Sequence, residues 1–321
     1  MRNFRKYGIP AICVVLCAVL LNLGLNYALI PYSYVRIMMH ELQTEENDVV
    51  FLGTSHGLSG ISPKIIEEKT GKDAINLCMG GEYPKDAYYM LKEAIRQHRP
   101  EQVVYELDPG YWCTEESQRG DFNRIYYEMP WSLVKAEYFV NKTMKSDFRA
   151  TLFPWFYYRA QYKMIPQIIE GKQSSEYKNY GAAPFTTAGQ SYEDGYIKRN
   201  EFFGEKPQDS LVLWDESLLQ EEAVTYFEKM AELCKEKNIT FTVITTPVPA
   251  ETRKEHPEFQ KADKWFREYM EEQGITYYNY NEEEHRVENL DESLNAFTDY
   301  EGHMSWKQAE IFSSQLADDL M

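Results

Sequence analysis

Ser55 lies in Phe51-Leu52-Gly53-Thr54-Ser55-His56-Gly57, where an apolar run stops at a turn of small residues. A serine hydroxyl becomes a nucleophile when a base can take its proton. The chain has six histidines: His40, His56, His98, His256, His285 and His303. His40 falls in a neck segment, His98 ends a surface helix, and His256 and His285 lie among charges. His56 adjoins Ser55, and neighbouring side chains at a sharp turn diverge. His303 follows the last strand and precedes the last helix, with Asp299 and Glu301 close by. That setting suits an imidazole whose tautomer and charge a carboxylate must fix. Taken singly, Ser55 reads as a helix N-cap and His303 as a surface histidine. Taken together they read as nucleophile and base.

The elements around them must bring the two to one place. Val49 to Leu52 reads as a buried strand, and ligands bind at the C-terminal ends of strands in an open α/β sheet. Gly53 and Gly57 let the backbone bend tightly around Ser55. Pro63 to Thr70 reads as a helix stopped by Gly71. Ala74 to Cys78 reads as a strand ending in Met79-Gly80-Gly81, Tyr83 to His98 as a helix, and Gln102 to Leu107 as a strand ended by Asp108-Pro109-Gly110. This alternation predicts a parallel sheet covered on both faces. From Tyr111 to about Trp214 the pattern breaks into an aromatic-rich insertion, with Gly181 to Gly195 as a loop. The insertion is either a cap facing the substrate or a partly helical excursion that does not touch the site. The alternation returns with a helix over Ser217–Glu236, a strand over Thr240–Thr245, a helix over Pro257–Gln273, a short strand over Ile275–Tyr278 and a helix over Trp306–Leu320 capped by Ser305.

The chain opens with a basic Met1-Arg2-Asn3-Phe4-Arg5-Lys6, and no charge follows from Tyr7 to Val35. The apolar stretch is long enough to cross a bilayer, and the basic flank places the N-terminus in the cytoplasm. With no small-residue cleavage site after it, the stretch reads as a retained anchor rather than a signal peptide. The organisation is therefore residues 1–31 as tail and anchor, 32–46 as neck, and 47–321 as an extracytoplasmic domain with the insertion at about 111–214. Cys13 and Cys17 lie in the span. Cys78, Cys113 and Cys234 allow at most one bridge and equally suit free thiols. The net charge of −17 argues against nucleic acid and against docking on anionic headgroups. The 25 tyrosines fit large cores, or surfaces that face carbohydrate. No metal site is expected, because the Cys and His spacing is wrong and no calcium-loop pattern appears; no cofactor motif appears either.

Phe51-Leu52-Gly53-Thr54-Ser55 resembles the first block of the SGNH (GDSL-like) hydrolase superfamily, with Ser55 at the nucleophile position. Asn76-Leu77-Cys78-Met79-Gly80-Gly81 is similar to the second block, and Asp299 to His303 to the last. With its single anchor the chain resembles the proteins that partner membrane-bound O-acyltransferases, of the D-alanyl transfer and alginate O-acetylation types. The resemblance implies a three-layer α/β/α, flavodoxin-like parallel sheet, and a Ser55, His303 and Asp299 triad. It implies an oxyanion hole at Ser55, Gly80 or Gly81, and Asn76. It implies transfer of an acetyl or D-alanyl group to or from a cell-envelope polysaccharide or teichoic acid. Two departures stand. The superfamily's acid sits three residues before the histidine, where this chain has Tyr300, so the acid is Asp299, Glu301 or neither. Its oxyanion asparagine is missing, because Glu106-Leu107-Asp108-Pro109-Gly110 replaces the third block. Losing one such donor costs about 10²–10³ in rate. A non-catalytic scaffold or polymer-binding protein on the same fold is the alternative, and a Ser55 more than about 6 Å from the imidazole favours it.

Overall fold

A computed structural model describes residues 4–115, 122–200 and 211–321. Met1 to Asn3, with Arg2 of the basic flank, and the parts of the insertion at 116–121 and 201–210 lie outside the described residues. The chain divides into two compact units: Met1–Arg36 with Asn123–Gly181, and Ile37–Phe122 with Ala182–Met321.

The first unit is built on α1 (Ile9–Leu29), part of a 24-residue helical stretch Lys6–Leu29 whose most apolar 18 residues have mean hydropathy 2.4. It is long and apolar enough to cross a membrane. Helix α2 (Tyr34–Thr44) occupies the expected neck and leads into the second unit.

That unit holds a parallel sheet of five strands. In chain order come β1 (Val49–Leu52), α3 (Ser55–Gly60), α4 (Pro63–Thr70), β2 (Ala74–Asn76), α5 (Pro84–Gln97) and β3 (Gln102–Glu106). The insertion carries α6 (Phe122–Glu128), α7 (Leu133–Tyr138), α8 (Met144–Leu152), α9 (Ile165–Gln173) and α10 (Ser175–Lys178), which from Asn123 on belong to the first unit, and a hairpin of β4 (Gln190–Glu193) and β5 (Tyr196–Arg199), which belongs to the second. Then follow α11 (Glu221–Lys237), β6 (Thr240–Thr245), α12 (Ala250–Glu255), α13 (Glu258–Gln273), β7 (Thr276–Asn279) and α14 (Trp306–Asp319). The sheet order is β2-β1-β3-β6-β7, every pair parallel. Each crossover therefore puts a helix on a face, as the alternation implies. Helices α4 and α14 pack together, as do α5 and α11. Buried Phe51, Val104, Ile244, Phe227, Phe266 and Phe312 fill the layers. Trp112 is wholly buried against Phe227 and Phe266, so this ring belongs to the core rather than to a sugar-facing surface.

The expected loop over Gly181–Gly195 is corrected: from Gln190 it is the first strand of a hairpin. Asp194 and Gly195 both have positive φ, +52° and +79°, the two-residue turn that Asp-Gly favours between alternating strands.

Gly53 ends β1 with φ +144°, and a Cβ there would lie 2.5 Å from the Glu106 carbonyl oxygen. Both facts demand glycine at the entry to Ser55. Gly53→Ala should lower stability by about 2–4 kcal/mol through strain and overpacking. Thermal melting of the detergent-solubilised chain checks this, and an unchanged transition would contradict it.

Candidate active site

β1 stops at Gly53 because the chain must turn over the end of β3. Buried Glu106 accepts from the Thr54 amide at 2.7 Å and the Thr54 hydroxyl at 2.9 Å. Burial, opposed by the nearby charge of His56, raises the pKa of this carboxyl. Thr54 in turn caps α3, its hydroxyl accepting from the His56 amide. Ser55 is thus the first residue of a short helix and is fixed from below.

Asp299 and His303 come from one closed loop. Phe297 bridges to Met304, and the Thr298 amide donates to the His303 carbonyl at 2.8 Å. Asp299 Oδ1 accepts from the amides of Gly302 and His303, both at 3.1 Å. Gly302 takes φ +115°, with Val248 Cγ1 only 2.5 Å from where its Cβ would be. This left-handed step absorbs the extra residue between acid and base. Tyr300, at the position expected for an acid, is buried, and its hydroxyl donates to Glu255.

The result is a connected line of three groups. His303 Nε2 lies 2.7 Å from Ser55 Oγ, and His303 Nδ1 lies 2.6 Å from Asp299 Oδ2. An ionised carboxylate only accepts, so Nδ1–H donates to Asp299 and Nε2 accepts from the Ser55 hydroxyl. Glu301 stands 3.8 Å from Nδ1. Of the three options left open by sequence, Asp299 therefore has the geometry. Arg199, at the end of β5, lies 3.6 Å from Asp299 Oδ2. The hairpin signal at Asp194-Gly195 could have pointed to it.

His303 is 5% exposed. Burial pushes its pKa down from 6.5 to about 4, helped by the charges of His56 and Arg199 and opposed by the Asp299 hydrogen bond. Burial works to raise Asp299, but the His303 ring and amide and the Arg199 charge hold it well below the usual carboxylate range. The His303 imidazole is thus held neutral near pH 7. The acid limb of acylation should fall near pH 4 rather than 6.5, measured as the pH dependence of kcat/KM for a short-chain ester. The same depressed pKa means that the stability His303 contributes is present above pH 6.5 and is lost as pH falls through about 4. A limb at 6.5 would refute a buried neutral base.

Gly80 faces Ser55: a Cβ on it would sit 3.9 Å from Ser55 Cβ. The amides of Ser55, Gly80 and Gly81 find no acceptor among the described residues. Asn76 is corrected as an oxyanion donor. Its amide hydrogens go to the carbonyls of Gly57 and Ile61, both at 2.9 Å, and its oxygen accepts from the Cys78 amide. Asn76 closes the C-terminal end of α3 instead. Ser305 occupies the N-cap position of α14, but its side chain makes no cap bond.

His56 does not diverge from the site. Its ring meets that of His303 edge-on at 4.6 Å, and its Nδ1 lies 3.7 Å from Asp108. Among the described residues, His56, Glu301 and His303 bring ligand atoms within 4.8 Å of one another, a grouping that could hold a metal ion. Both ring nitrogens of His303 already have partners, so a metal would displace the serine or the carboxylate.

No protein-family model matches the chain, and no curated protein does. Solved structures to which it is similar include three. One, from Desulfitobacterium hafniense DCB-2, is described provisionally as a lipolytic protein of the G-D-S-L family (8% identity, TM-score 0.39, covering 84% of this chain and 97% of that one). A second, from Bacteroides fragilis NCTC 9343, is described provisionally as an acylhydrolase (11%, 0.42, 90% and 97%). A third, from Bacteroides thetaiotaomicron VPI-5482, is described as a GDSL-like lipase (14%, 0.40, 90% and 98%). These likenesses are distant, and the chemistry below is carried by Ser55, His303 and Asp299.

Proposed function

We propose that this chain is a membrane-anchored, SGNH-like serine acyltransferase or esterase. It moves an O-acyl group, acetyl or D-alanyl, to or from a cell-envelope polysaccharide or teichoic acid. The observation that carries the reading is the line Ser55 Oγ, His303, Asp299, joined at 2.7 and 2.6 Å. Against a non-catalytic scaffold stands the 2.7 Å between Ser55 Oγ and His303 Nε2, well inside the about 6 Å beyond which a scaffold is favoured.

In the first step His303 Nε2 takes the Ser55 proton while Oγ bonds to the acyl carbonyl carbon. Asp299 stabilises the imidazolium. The free amides of Ser55 and Gly80 donate to the oxyanion. Collapse of the tetrahedral species expels the donor's alkoxide, which leaves with the proton from His303. The acceptor hydroxyl, or water, then gives its proton to His303 and bonds to the acyl carbon, and the departing Ser55 Oγ regains that proton from His303.

Helix α1 supports work at a membrane surface, with the N-terminus cytoplasmic and the site outside, beside a membrane-bound O-acyltransferase that supplies acyl groups. The test is full-length chain in nanodiscs with a short acyl ester. Trapping of an acyl group on Ser55, released faster by a polyol polymer than by water, is expected of a transferase. Release by water alone points to an esterase. No acyl-enzyme with an intact Ser55 would overturn the reading.

A further inference from the structure

We propose that residues 152–164 form a second membrane contact, an interfacial foot bedded among anionic headgroups at the C-terminal end of α1. This rests on the reading of α1 as a membrane span.

The decisive contacts are polar. Asn22 and Asn26 lie about 24 and 30 Å along the helix from Lys6, at 1.5 Å per residue. A hydrocarbon core of about 30 Å that begins near Lys6 therefore holds Asn22 inside and Asn26 at its far edge. An unpartnered amide at that depth is costly. Trp155 supplies both partners: its indole N–H donates to Asn22 Oδ1 at 2.9 Å, and its backbone N–H to Asn26 Oδ1 at 3.0 Å. Lys172 Nζ donates to the Tyr27 carbonyl at 2.8 Å, at the end of the same helix. Trp155 must then share the depth of Asn22, and it takes its chain neighbours with it.

Those neighbours suit an interface. The segment runs through short turns at Pro154–Phe156 and Arg159–Met164. Tyr158 turns inward against Leu29 and Ile30 of the anchor. Leu152, Phe153, Tyr157, Tyr162 and Met164 point out and are exposed, Tyr162 by 61%. Tyrosine and tryptophan rings of this kind settle at the headgroup level. The charge agrees. Between Lys142 and Lys172 the chain has six basic residues against two acidic, inside a protein of net charge −17. Lys145, Arg149, Arg159 and Lys163 are exposed. Each such cation near an anionic surface is favourable. The whole-chain charge had argued against headgroup docking, and this local excess reverses that expectation. It also gives the aromatic insertion between α8 and α9 a surface to face other than a sugar.

The test uses the full chain with Cys13→Ala and Cys17→Ala, in vesicles of phosphatidylcholine with or without phosphatidylglycerol. An environment-sensitive fluorophore is placed at Phe153→Cys, Tyr157→Cys or Tyr162→Cys, with Val14→Cys as the deep reference and the free label as the aqueous one. The three foot positions should emit to the blue of the free label. Lipids with a shallow nitroxide should quench them, more strongly when phosphatidylglycerol is present. The Val14 label should be quenched by the deep nitroxide. Adding Trp155→Phe should weaken quenching at Tyr157→Cys without changing Val14→Cys. Foot labels that match the free label while Val14→Cys stays quenched would overturn the foot and leave the anchor standing. Equal quenching with and without phosphatidylglycerol would overturn the anionic assignment. An unquenched Val14→Cys would overturn both.

Discussion

Ser55→Ala should abolish covalent labelling by a serine-directed fluorophosphonate and lower the hydrolysis of a short acyl ester by about 10⁴–10⁶. The loss is large because Ser55 Oγ is the only group at hydrogen-bond distance from His303 Nε2 among the described residues, at 2.7 Å. Removing the nucleophile leaves only the amides near Gly80 and whatever binding the site retains. Intact-protein mass spectrometry after incubation with the ester gives a second reading, an acyl adduct on the parent chain that the variant lacks. A labelled variant, or an activity loss below tenfold, would place the nucleophile elsewhere. His56 is the group to examine next, since its ring touches that of His303.

Asp299→Asn should cost about 10³–10⁴ in kcat, whereas Glu301→Gln should change it by less than about tenfold. An asparagine at 299 can present its NH₂ to Nδ1 and force the wrong tautomer, so that Nε2 carries a proton and cannot accept from Ser55. Glu301 is farther, 3.8 Å from Nδ1 against 2.6 Å for Asp299. The pair of variants separates the two carboxylates by kinetics, and circular dichroism of each variant separates chemistry from unfolding. Glu301→Gln as the more damaging change would reverse the assignment.

The parallel sheet was legible because each strand is a short apolar run between turn residues, and each linking helix has a 3.6-residue period. Thus the strand over Thr240–Thr245 and the helix over Pro63–Thr70 closed by Gly71 lie where patterning puts them. Ser55 and His303 were legible as residue types after one strand and before the last helix. What decides the acid was not, because the four-residue spacing from Asp299 works only through a left-handed Gly302. A backbone detour of that sort leaves no periodic trace. Asn76 was misread for a similar reason: its buried amide goes to carbonyls at the end of α3, those of Gly57 and Ile61, and that choice depends on tertiary distance. The insertion was opaque because its aromatic rings serve at least two environments, Trp112 in the sheet's core and Trp155 on the asparagines of α1. The hairpin at Asp194-Gly195 was there to be read in the turn dipeptide.

The hydroxyl and the imidazole that meet at 2.7 Å are separated by 248 positions in the chain. A ribosome therefore releases the strand bearing Ser55 long before the loop bearing its base has been made. If α1 spans a membrane as proposed, an unfinished or clipped polypeptide is already held there, yet it carries a Ser55 hydroxyl without its imidazole partner. On the proposed function, the order of synthesis keeps acyl chemistry silent until the segment bearing Asp299 and His303 has been made and folded against Ser55.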